Sequence, residues 1–191
     1  MYPGLAMNLL WLAFVLSWLL AAFWSGRTEK RAGLSRALPY RIIIFIGYVL
    51  VFPHPHQYFV LLYPAPALAW AAVAASFAGF AFTWWARLHL GKLWSGAITK
   101  KEGHRIVDTG PYAITRHPIY TGLIWATFCS LFAFLSGITP LRLMGFALAV
   151  FGILMKSRLE ENWLRAELGT EAYDRYRARV PMLLPFGPVS S

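Results

Sequence analysis

Two clusters of polar residues stand where long apolar runs begin or end, and their types suit recognition of a small charged molecule. The first is Arg116-His117, directly before Pro118. Proline is favoured at the first helical position, which places these residues at a helix N-terminus. The free amide N–H groups there favour a carboxylate or another anion. The second cluster is Lys156-Ser157-Arg158-Leu159-Glu160-Glu161, at the end of the last long apolar run. Only eight acidic residues occur in the chain, and two adjacent ones at a membrane boundary are costly unless paired or functional. The two runs are joined through Ser136-Gly137-Ile138-Thr139, so they are expected to form a tight hairpin whose like ends meet. His117 and Glu160 are then neighbours. Each cluster also has a plainer reading. Arg116 and His117 can anchor at lipid headgroups, and the glutamates can pair with Arg158 or Arg165 on a solvated helix. The residues alone leave both open.

The elements that must position these clusters are membrane spans. Of 191 residues, 58% are hydrophobic and 14% charged, whereas a soluble domain carries about 25% charged residues. Five apolar runs, near 5–24, 39–63, 65–88, 118–135 and 140–156, approach the roughly 20 residues that cross a bilayer. The first has no basic segment before it and no clear small-residue cleavage site, so it reads as a retained helix and not a signal peptide. Pro53-His54-Pro55-His56 interrupts the second, which predicts a helix over about 41–52 followed by a bent or interfacial return. Small residues on the third, among them Ala71, Ala75, Ala78 and Gly79, predict close helix packing. The segment from Trp163 to Val180 is amphipathic, with Gly169 placed to end one helix and start another; it reads as a surface helix lying on the membrane.

Charge orients the spans. Five basic residues lie between spans one and two, six between three and four, and six after span five; Arg142 is the exception among 18. The positive-inside rule puts the three basic segments in the cytoplasm, the N-terminus outside and the C-terminus inside. The net charge of +10 is therefore a topology signal, and nucleic acid is not an expected partner. Cys129 stands alone in an apolar run and reads as packing. His54 and His56 have no acidic partner nearby and read as an interfacial loop, so no metal site is expected. No internal repeat and no charge at a span centre appears, which weighs against a transporter. The expected organisation is one membrane domain, 1–191, with three spans in 1–88 and a catalytic half in 89–191.

Gly-His-Arg-Ile-Val at 103–107, Gly-Pro-Tyr at 110–112, Arg-His-Pro-Ile-Tyr at 116–120, Glu-Glu at 160–161 and Arg-Val-Pro at 179–181 together resemble the isoprenylcysteine carboxyl methyltransferase family; the phospholipid N-methyltransferases share the paired glutamates. The likeness covers roughly residues 90–185. It implies an all-α integral membrane protein of about five spans with a cytosolic cofactor pocket over the last two, in a bacterial inner membrane or the endoplasmic reticulum according to organism. It implies S-adenosylmethionine as methyl donor, and His104, Arg105, Ile106, Val107, Tyr112, His117, Pro118, Ile119, Tyr120, Glu160 and Glu161 as cofactor-binding residues. A basic residue before the glutamates, Lys156 or Arg158, would contact the carboxylate of an apolar-tailed substrate. A lipid amine or a small thiol is the alternative acceptor, and a non-enzymatic membrane protein the alternative class.

Overall fold

Proline opens four of the six α-helices found among the described residues, where its fixed φ suits the first turn and its missing N–H is no loss. The computed structural model describes residues 2–31, 33–53, 59–103 and 105–189. In chain order these form α1 (Pro3–Ala22), β1 (Thr28–Arg31), α2 (Leu34–Val51), α3 (Pro66–Leu90), β2 (Thr99–Lys101), α4 (Pro118–Ser130), α5 (Pro140–Leu168) and α6 (Thr170–Arg177). The strands pair antiparallel and tie the first basic link to the second. His54, Pro55, His56 and His104, singled out above, lie outside the described residues.

The protein is an all-helical integral membrane protein. Three helical stretches, Pro3–Ala22, Pro66–Leu93 and Pro140–Leu168, are long and apolar enough to cross a bilayer. Their arrangement departs from a simple hairpin of the last two spans. α4 packs along α3, and α5 packs along α2. Glycines make both pairings close. A Cβ on Gly79 of α3 would stand 2.9 Å from the Gly122 carbonyl of α4, and one on Gly145 of α5 would stand 2.8 Å from the Gly47 carbonyl of α2. Such small-residue seams are how helices associate where lipid removes the hydrophobic drive.

Three boundaries differ from the sequence expectation. α2 starts at Leu34 and carries Pro39 within it; in the second turn a proline gives up one backbone hydrogen bond. α4 stops at Ser130 and not near residue 135. Thr127 Oγ1 and Ser130 Oγ both donate to carbonyls four residues back, Leu123 and Ala126, a habit that bends helices. Its 13 residues reach about 20 Å. The connection 131–139 is accordingly longer than a tight turn. It is apolar and buried at Leu131, Ala133, Phe134 and Ile138, and its backbone pairs with Leu61 and Leu62. α5 runs on past residue 156 to Leu168, because no helix breaker intervenes before Gly169 at φ 102°.

Arg142, the one basic residue outside the three basic links, is fully buried. Its guanidinium donates to Val51 O at 2.7 Å, to Ser130 O at 2.8 Å and to Gly137 O. Val51 and Ser130 are the last residues of α2 and α4, so the cation caps two helix C-termini, where the macrodipole favours it. Arg87 repeats the arrangement at the basic end. It donates to Gly91 O, Ala21 O and Trp24 O and lies 4.3 Å from the Trp94 ring centroid.

Replacing Arg142 by leucine leaves three buried carbonyls without their donor, and each such loss costs about 1–3 kcal/mol. The expected result is earlier thermal unfolding in detergent, read by maleimide labelling of the buried thiol of Cys129. Labelling that begins at the parent's temperature would contradict the capping role.

Candidate active site

The N-terminus of α4 is held from two directions. Its backbone is bound by the C-terminal segment: Arg116 N–H donates to Pro181 O at 2.9 Å and His117 N–H to Met182 O at 3.1 Å. Thr121 Oγ1 adds a bond to Leu183 O at 2.6 Å. Its side chains are bound by α5. Arg116 lays its guanidinium on Glu161, Nε to Oε1 at 2.7 Å and Nη2 to Oε2 at 3.3 Å. The remaining nitrogen, Nη1, donates to the carbonyls of Arg177, at the end of α6, and Val180. His117 Nε2 lies 3.2 Å from Glu161 Oε1 and Arg177 Nε 3.7 Å from Oε2. A two-pronged arginine–carboxylate pair fixes orientation as well as distance.

With Glu161 committed to this buried cluster, Glu160 faces elsewhere. Its Oε2 accepts from Tyr120 Oη at 2.7 Å, and the Tyr120 ring stacks on His117 at 5.3 Å between centroids. Both residues border a cavity of about 250 Å³ at the basic end of the bundle. Arg105, Ile106 and Val107 line it, together with Tyr112 and the turn His117 to Tyr120. Lys156 lines it too, its Nζ 3.3 Å from Gly96 O and 5.0 Å from the Tyr120 ring centroid. The first-turn amides of Ile119 and Tyr120 have no acceptor inside the helix, which leaves donors at the cavity wall.

The structure therefore brings together ten of the residues that the family resemblance assigns to cofactor or acceptor, including Lys156 and Glu160. Two it does not bring there. Arg158 is exposed and off the cavity. Glu161 is buried and spent on Arg116, not on Arg158 or Arg165. Arg165 pairs with Asp174 at 2.6 Å. That bond, first among the causes, holds the Asp174 carboxyl below its usual range.

Two features of the lining were missed. The segment from Trp94 to Thr99 forms one side of the cavity; nothing in its types or spacing signals this, since pairing of β1 with β2 brings it there. Tyr173 and Tyr176 line another side. The helix expected at the membrane surface packs on protein through these two residues, with Tyr176 Oη donating to Tyr112 O at 2.7 Å. The two buried tyrosines three residues apart were the available signal. Burial, as the leading cause, raises the pKa of Tyr112, Tyr173 and Tyr176, so all three are neutral hydroxyls at physiological pH.

Residues 70–165 match the family model described as the isoprenylcysteine carboxyl methyltransferase family. Protein-S-isoprenylcysteine O-methyltransferase B of Arabidopsis thaliana is 33% identical over 91 residues, 47% of this chain and 44% of that relative, so the match spans less than half the relative's length. A probable protein-S-isoprenylcysteine O-methyltransferase of Oryza sativa subsp. indica is 27% identical over 157 residues, 78% of this chain and 74% of that relative. The subsp. japonica relative gives the same figures.

The two glutamates should respond differently to loss of charge. Glu161→Gln strands Arg116 in a buried site and is expected to cost about 3–5 kcal/mol, seen as a lowered melting temperature. Glu160→Gln should leave the melting temperature within a few degrees of the parent. Equal destabilisation by both would show that the roles are not divided in this way.

Proposed function

The chain belongs to the isoprenylcysteine carboxyl methyltransferase family, and on that premise we propose that it methylates the carboxylate of an apolar-tailed, isoprenylcysteine-like acceptor with S-adenosylmethionine as donor. The observation that carries this reading is the single cavity that gathers Arg105 to Val107, Tyr112, His117 to Tyr120, Glu160 and Lys156.

The residues fit the donor's chemistry. S-Adenosylmethionine, when bound, supplies a sulfonium methyl that a carboxylate oxygen can take, the C–S electron pair staying on sulfur. The first-turn amides of α4 and His117 suit the donor's own carboxylate. Glu160, with one oxygen held by Tyr120, keeps the other for ribose hydroxyls or an ammonium. Tyr112, Val107 and Ile119 form an apolar cluster with Trp94 that suits a flat heterocycle. Lys156 provides a point charge for the acceptor carboxylate; Arg158 would have to swing inward to share that role. A carboxylate is already ionised near neutral pH, so no residue need act as a general base, and catalysis rests on positioning and exclusion of water.

The cavity is smaller than the roughly 300–1,000 Å³ of common ligand pockets, so the acceptor's apolar tail belongs outside it. The seam between the α3–α4 pair and the α2–α5 pair offers a lateral route from the bilayer. In this reading α2 and α4 with its apolar extension complete five spans, the basic links face the cytoplasm, and 89–191 forms the catalytic half of one membrane domain.

Purified protein with labelled S-adenosylmethionine should methylate N-acetyl-S-farnesylcysteine in preference to a lipid amine or a small thiol. Glu160→Gln should weaken S-adenosylhomocysteine binding by about tenfold or more in calorimetry, as expected for losing hydrogen bonds to a charged group. Folded parent protein that binds no S-adenosylhomocysteine would remove the reading.

A further inference from the structure

The C-terminal segment that crosses the start of α4 turns sharply once it has passed. Gly187 N–H donates to Leu184 O at 2.9 Å, which closes a turn over Leu184-Pro185-Phe186-Gly187. Proline at the second position and a positive φ at the third, 62° at Phe186, mark it as type II. The third position of such a turn ordinarily falls to glycine or asparagine. A bulky side chain is costly in that conformation, and among the described residues Phe186 is the one non-glycine that adopts it. Packing does not offset the cost, because Phe186 is fully exposed and Leu184 is exposed beside it. Backbone strain of this kind points to a use for the side chain it displays.

The position of the turn says what the ring meets. Thr121 Oγ1, in the first turn of α4, donates to Leu183 O at 2.6 Å, which sets Leu184 close by. One turn farther along the same face of α4 stands Trp125, followed by Phe128, and both are exposed. α4 packs along α3, a helix long and apolar enough to cross a bilayer, so this outward face is turned to lipid. The turn therefore continues the lipid-facing surface of α4 at its basic end. Residues 180–189 carry no charged side chain, and Val189 adds a third exposed apolar group. Apolar side chains in such a place sink about 5–10 Å into the boundary of headgroups and acyl chains.

We infer that the turn 184–187 is an interfacial anchor: Leu184 and Phe186 insert into the leaflet at the basic end of the bundle, beside α4. The segment that binds the backbone of Arg116 and His117 through Pro181 O and Met182 O is then held by lipid as well as by α4. The partner is the bilayer itself, and the anchor holds whichever reaction the cavity performs.

The test places a nitroxide spin label at single cysteines, Leu184→Cys and Phe186→Cys, each in a Cys129→Ala background and in phosphatidylcholine nanodiscs. Glu171→Cys, on the exposed face of α6, gives the reference for water. Oxygen concentrates in lipid and a nickel chelate in water, so the collision rate with each reports the label's surroundings. Labels at 184 and 186 are expected to collide several-fold more with oxygen, and several-fold less with the chelate, than the label at 171. Chelate collisions equal to those at 171 overturn the anchor, because the turn then lies in water. Low rates with both reagents overturn it as well, because a second copy or another protein then covers the turn. Leu184→Cys leaves Phe186 and its backbone in place, so its label decides if the Phe186→Cys substitution lets the turn relax.

Discussion

The buried fork between Arg116 and Glu161 is the constraint on which the site depends. It joins the start of α4 to the last third of α5, and through the carbonyls of Arg177 and Val180 it draws in α6 and the C-terminal segment. Adjacent residues on an α-helix point about 100° apart. Pinning Glu161 to Arg116 therefore aims Glu160 into the cavity, where Tyr120 holds it. Counted from Pro140 at 1.5 Å per residue, Glu160 lies about 30 Å along α5, the thickness of a hydrocarbon layer. An ion pair at that depth is costly to desolvate, and the extra donors to carbonyls leave no prong of the guanidinium idle.

Arg116 belongs to a pattern. Arg87, Arg116 and Arg142 are each almost fully buried, and each donates to carbonyls at or just beyond the C-terminal ends of helices. A membrane bundle has no water to satisfy such carbonyls, and a planar five-donor cation can serve several at once. This explains why Arg142 stands apart from the other basic residues: it is an internal cap and not an orientation signal. Arg116 alone among the three adds a carboxylate partner among the described residues, and it alone borders the cavity.

Much of this was legible in the sequence because membrane constraints are coarse. Pro118 and Pro140 announced helix starts, Gly169 a helix end, and the paired glutamates a polar convergence with His117. What was not legible depended on side-chain geometry or distant pairing. Nothing in Glu160-Glu161 says which glutamate turns to the protein and which to the cavity; the position of Arg116 decides. α4 ends at Ser130 although the apolar run continues to Leu135, so hydropathy does not register its end. The pairing of α5 with α2 follows from Gly47, Gly145 and Gly152, whose spacing becomes informative only once the partner helix is known. Thr99 reaches the cavity through a strand pairing between two links far apart in the chain.

The unbroken length of α5 has a mechanical consequence. The helix is clamped near one end by Arg142 and near the other by Glu161, so it behaves as a strut with both ends anchored in protein. A bilayer whose thickness mismatches the strut's apolar length is accommodated by tilting it. The fork with Arg116 and the Tyr120 bond to Glu160 tie the strut's inner end to the first turn of α4, so that turn is carried with it and the contact between Glu160 and Tyr120 is kept whatever the tilt.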